Sequence, residues 1–106
     1  MPRLELPMVT TPSHLHTAAA AALRIRITGT VVDTGDGRSG RYRQRWLWVR
    51  TSAGLVRVTA ATTSRLGTLD AGALVDLEVT LTGVVDLTKD LYYGERARLL
   101  RARDPA

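Results

Sequence analysis

Cysteine is absent from this chain, so disulfides and thiolate zinc sites are excluded. Phenylalanine is absent too, leaving two tryptophans and three tyrosines as the whole aromatic complement. Lysine occurs once, at Lys89. No apolar run approaches membrane-spanning length. The longest near the N-terminus, Ala18 to Leu23, is too short for a signal-peptide core and precedes no cleavage pattern. The expectation is therefore an intracellular, cytoplasmic protein with no membrane association. Histidine is confined to His14 and His16, with no further ligand nearby, so neither metal nor cofactor is expected.

What is present fits one domain. A chain of 106 residues with 44% hydrophobic and 24% charged residues can bury a single modest core but not two. Fifteen basic residues against ten acidic ones give a net charge of +5 and a pI near 10.7. The excess is concentrated: residues 38–50 carry Arg38, Arg41, Arg43, Arg45 and Arg50 with no acid. Arg96, Arg98, Arg101 and Arg103 follow near the C-terminus, in a stretch free of acids from residue 96 onward to 103. Arginine suits phosphate forks and ring stacking, although GC-rich coding produces the same bias. Such charge points to a polyanionic partner or simply to solubility.

The most informative stretch is Arg41-Tyr42-Arg43-Gln44-Arg45-Trp46-Leu47-Trp48-Val49-Arg50. With the period of a strand, Tyr42, Gln44, Trp46, Trp48 and Arg50 fall on one face, and Leu47 and Val49 on the other. Rings interleaved with arginine and set apart from the aliphatics make a stacking platform for unpaired bases. A shift of one residue in phase would reverse this, turning both indoles into core residues.

Around that strand the pattern is mostly alternation. Leu23, Ile25, Ile27, Gly29 and Val31 share one side of a first strand, with Arg24, Arg26, Thr28 and Thr30 on the other. Gly29 marks a bend or bulge. Residues 33–40, with three glycines and two aspartates, read as a flexible loop, and no Gly-Lys-Ser/Thr ending makes them a phosphate loop. Gly54 turns a hairpin into a third strand, Leu55 to Ala60, with Val56 and Val58 inward. Residues 61–73 wind briefly at most. A fourth strand sets Val75, Leu77, Val79 and Leu81 inward and Asp76, Glu78, Thr80 and Thr82 outward, so its outer face is acidic where earlier ones are basic. Residues 86–94 read as a second long loop, carrying Lys89, Tyr92 and Tyr93, before a fifth strand, Glu95 to Arg103, with a bulge near Leu99 and Leu100. Residues 1–22, with three of the four prolines, read as a partly flexible arm outside the barrel, containing at most a short helix from His14 to Ala22 capped by Ser13.

Five short strands with a weak helical connection predict an all-β fold: a five-stranded Greek-key OB-type barrel over residues 23–106, preceded by the arm. A five-stranded SH3-type barrel is the competing architecture. The glycine-bearing strand Leu23 to Val31, the hairpin through Gly54 and the segment Leu69 to Val75 carry a resemblance to the oligonucleotide/oligosaccharide-binding fold. Within it the chain resembles bacterial single-stranded DNA-binding proteins and short primosomal replication proteins. That resemblance implies binding across strands two and three, flanked by the loops after strands one and four. It implies stacking by Trp46, Trp48 and Tyr42, with Tyr92 and Tyr93 reaching from the second loop. It implies phosphate contacts from Arg24, Arg26, Arg41, Arg43, Arg50 and Arg57. The chain departs from the family in lacking phenylalanine and the long linker with an acidic, hydrophobic-ended tip, which puts recruitment of repair enzymes through such a tip in doubt.

The expected function is non-catalytic, sequence-tolerant binding of single-stranded nucleic acid, DNA in preference to RNA, with homo-oligomerisation or replication and repair proteins as further partners. The alternative is a protein-interaction module using the same rings and arginines, because Trp, Tyr and Arg are also favoured interface anchors. No enzyme is expected: the acids scatter, and Ser13, Ser39, Ser52 and Ser64 sit in no nucleophile motif.

Overall fold

A computed structural model describes residues 6–39, 41–86, 88 and 91–103, without the side chains of Ser39, Tyr42, Val84 and Val85. Lys89 and Gly40 lie outside these residues. The elements run α1 (Pro12–Ala20), β1 (Arg24–Ser39), β2 (Tyr42–Thr51), β3 (Leu55–Ala61), a 3-10 turn (Leu66–Thr68), β4 (Leu74–Asp86) and β5 (Leu91–Arg103).

The alternating aliphatics of the five strands can all be buried only if the sheet closes on itself. It does so in the order β1-β2-β3-β5-β4, with β1 returning to β4. Every pairing is antiparallel except a short parallel one between β3 and β5, Leu55–Arg57 against Leu91–Tyr93. This is an all-β, OB-type barrel. Ile25, Ile27, Val31, Leu47, Val49, Val56, Val58, Val75, Leu77, Val79 and Leu81 fill it, each with 2% or less of its surface exposed. Leu23, expected on the inner side, instead precedes β1 and is exposed.

Gly29 stands where β1 passes from one neighbour to the other: it pairs with Val75 of β4 and also with Thr51 of β2. A Cβ there would collide with the carbonyl oxygen of Arg50, so the corner requires glycine. The bulge itself comes slightly later, between Val31 and Asp33, and leaves Val32 exposed. A second irregularity, between Asp76/Leu77 of β4 and Arg101/Leu99 of β5, leaves Leu100 exposed, where the adjacent leucines broke alternation.

Several expectations need correction. Residues 33–39 are not a loop but the second half of β1, paired from Asp33↔Trp48 to Ser39↔Tyr42. Gly35 and Gly37, expected in that flexible loop, have no positive φ; they are strand residues whose missing side chains make room for rings. The second loop is likewise shorter than expected, because β4 continues to Asp86 and β5 begins at Leu91.

The described part of the expected arm, residues 6–22, packs on the core; residues 1–5 lie outside the described residues. Met8 forms a parallel bridge to Arg26, Val9 is buried, and α1 buries Leu15, Ala18 and Ala19. Thr11, not Ser13, caps the helix: its hydroxyl accepts from the His14 N–H at 3.4 Å, and Pro12 follows at the first helical position. Leu15 lies against Gly54 and Ala19 against Gly83, so α1 closes the barrel end at the β2–β3 turn. Leu66 and Leu69 of the β3–β4 connection are buried at the other end of β2, where Arg45 binds the Gly67 carbonyl at 3.1 Å. Two short elements thus cap a barrel too small to seal its own ends.

Candidate nucleic-acid interface

The phase of β2 decides which side chains a ligand could meet. Leu47 and Val49 are fully buried, whereas Trp46 and Trp48 are half-buried on the outer face. The two indoles lie 6.4 Å apart between ring centroids, tilted by 51°. They rest on β1: a Cβ on Gly37 would stand 3.1 Å from the Trp46 ring, and one on Gly35 would stand 3.3 Å from the Trp48 ring. Glycines two apart, paired antiparallel with tryptophans two apart, allow both rings to lean diagonally across the neighbouring strand.

On the other flank β3 presents Arg57, directly opposite Trp48. Its guanidinium carbon sits 4.2 Å from the centroid of the Trp46 ring and 4.4 Å from that of Tyr93, on β5. Since β3 lies between β2 and β5, the cation is held between two rings from opposite sides. Arg57 Nε is buried without a hydrogen-bond partner among the described residues.

Beyond residue 57 of β3 the pairing with β5 ends and the two strands diverge. Between them runs a groove of about 380 Å³, lined by Thr59, Ala60, Ser64, Arg65, Leu66 and Arg96 among others. Thr59 pairs with Trp46, so the groove begins beside the rings.

The remaining expected site residues divide. Arg50 is exposed on the indole face of β2, and Arg41 is exposed in the β1–β2 turn. Arg43 is exposed but has the opposite phase to the indoles, and it lines a cleft with Asp36, Arg38 and Thr62. Tyr42 is placed by register opposite Ser39, and its side chain is not among those described. Tyr93 joins the rings, but Tyr92 does not. Adjacent strand residues face opposite ways, so Tyr92 turns into the core, 8% exposed, with its ring edge-on to His16.

Arg24 and Arg26 are also placed elsewhere. They pair with Thr80 and Glu78 on β4, where Arg24 donates to Thr80 Oγ1 and the Arg96 carbonyl, and Arg26 lies 3.6 Å from Asp76. Glu78 meets Arg98 at 3.4 Å. The acidic face of β4 is therefore interleaved with arginines rather than set apart from them. Arg45 is structural: it binds Gly67 O, Thr34 Oγ1 and Asp70 Oδ1, tying the hairpin to the β3–β4 connection.

Among the described residues no three His, Cys, Asp or Glu side chains gather as a metal site, and no helix is long and apolar enough to cross a membrane. No family model, curated protein or solved structure matches the chain. Sequence reasoning missed the roles of Gly35 and Gly37, and it named Arg57 as a phosphate contact without foreseeing its place between two rings. The first two had a signal, the shared spacing of Gly35-x-Gly37 and Trp46-x-Trp48 in the sequence.

Proposed function

We propose that this barrel binds single-stranded nucleic acid without catalysis, across the outer face of β2, β3 and the start of β5. The observation that carries the reading is the pair of half-exposed indoles supported on glycines, with a cation fixed between the rings of Trp46 and Tyr93. Unpaired bases have π-faces that stack on such rings whatever their identity, at about 1–3 kcal/mol per base. Exposed Arg50 and Arg41 supply charge along one side, and the groove with Arg65 and Arg96 continues the path on the other. Preference for DNA over RNA and a role in replication rest on the family resemblance, and a cytoplasmic setting on the lack of a signal-like or membrane-length apolar run in the sequence.

Trp46→Ala combined with Trp48→Ala is expected to weaken binding of oligo(dT) by tenfold or more while the protein stays folded, with oligo(dT) quenching the tryptophan emission of the parent protein. Unchanged affinity would remove the platform.

A second reading has one observation in its favour. Asp33 to Ser39 pair with β2 on one side and with no strand among the described residues on the other. An open edge can accept a second copy of the chain, although two aspartates on it oppose such pairing. Dimerisation insensitive to salt and shielding the tryptophans would favour that reading.

A further inference from the structure

Most half-buried arginines of this barrel have an acceptor: Arg24 binds Thr80 and Arg96, Arg26 faces Asp76, and Arg45 binds Gly67, Thr34 and Asp70. Arg57 differs. It lies at the centre of the ring cluster, its Nε is buried, and neither hydrogen bond nor carboxylate meets it among the described residues. Nε is enclosed by the protein, so the donors a ligand could reach are the two terminal nitrogens, which are not among the buried atoms and meet no acceptor among the described residues.

An oxygen offered to them could belong to a phosphate or to the carbonyl of a base. The surroundings favour the base. Rings 4.2 and 4.4 Å from the guanidinium carbon, on opposite sides, prevent Arg57 from following a flexible backbone. Trp48 stands directly opposite Arg57 in the register, so a base stacked there would bring its edge to the N–H fork of Arg57. Phosphates, by contrast, can be met by the exposed and unconfined Arg41 and Arg50.

We infer that Arg57 reads the edge of a base stacked on this face, favouring bases that carry a carbonyl oxygen over adenine, which has none. The inference rests on the single-strand-binding reading above. Thymine, cytosine and guanine each offer a carbonyl oxygen to the fork; adenine offers ring nitrogens beside an amino group that repels it. Arginine is suited to this because its planar fork holds two donors in one plane, whereas lysine supplies a point charge.

The test is titration of the full chain with oligo(dT), oligo(dC) and oligo(dA) over a range of salt, using the parent protein, Arg57→Lys and Arg57→Met. Stacking alone gives modest base preferences, so the quantity to compare is the change in the dT:dA and dC:dA affinity ratios. Both ratios are expected to fall by roughly tenfold in each variant, within the range of a lost base contact, while Arg57→Lys keeps the parent salt slope. If affinity for all three oligomers falls together in Arg57→Met and returns in Arg57→Lys, with both ratios unchanged, the contact is to phosphate and the inference is overturned. Unchanged binding in both variants overturns it equally. A second measurement needs no variant: replacing every adenine of a mixed oligonucleotide by hypoxanthine, which has a carbonyl oxygen where adenine has its amino group, should tighten binding by roughly tenfold. Equal affinity for the two oligonucleotides overturns the inference. If the parent protein binds none of these oligomers, it is the single-strand-binding reading that fails.

Discussion

Neighbouring residues of β2 do opposite work. Leu47 is fully buried and Trp48 lies half-buried outside, so Leu47→Ala should cost about 2–5 kcal/mol, seen as a lower denaturant midpoint. Trp48→Ala should cost less than Leu47→Ala, and the reverse order would make the indole the core residue. The glycines are equally unequal. Gly29→Ala forces a Cβ onto the Arg50 carbonyl and should cost at least the roughly 1–3 kcal/mol of an overpacked site. Gly37→Val places its branches against the Trp46 ring, 3.1 Å from a Cβ, and should push that ring into solvent. A red-shifted tryptophan emission with little loss of stability is the expected result. None of these distinctions lies in residue type; Gly29, Gly35 and Gly37 are alike in the sequence and differ only in what crosses above them.

Among the elements, α1 shows how far local propensity falls short. Its alanines predict a marginal helix when considered alone, and its place in the chain suggests an appendage. What holds it is the barrel end: Leu15 is fully buried, and Val9 and the Pro7 carbonyl bond to both sides of Arg26. Leu15→Ala should therefore lower stability by about 2–5 kcal/mol, measured by chemical denaturation, where a flexible arm would give no change. The β1–β2 hairpin errs the other way. Glycine and aspartate usually signal a turn, yet here they continue a strand, because two indoles from β2 need the space that Gly35 and Gly37 leave.

For the molecule as a whole, a net charge of +5 says little about where a polyanion would lie. Closure of the barrel brings Arg24 and Arg26 beside β4 and Arg98 beside Glu78, away from the rings, and leaves Arg50 and Arg57 on the ring face. In the proposed complex, Arg24→Gln with Arg26→Gln should leave the salt slope of oligonucleotide binding unchanged. Arg50→Gln should reduce it by about 0.7, the contribution of one single-strand phosphate contact. A slope lowered by the β4-side pair and not by Arg50→Gln would move the proposed path to the other face.

Alternation with a period of two was enough, from the sequence by itself, to place the central part of each of the five strands and most of their buried aliphatics, and to set Trp46, Trp48 and Arg50 together on one face of β2, because side-chain facing along a strand is a local property of the backbone. It gave neither the full length of β1, β4 and β5 nor which face of β2 is inside. Only the tertiary structure decided that α1 seals one end, that Tyr92 is core while Tyr93 is not, and that Arg57 stands between Trp46 and Tyr93. Those are relations across strands, set by register and by closure of the sheet, and no short stretch of sequence encodes which distant residue will become a lateral neighbour.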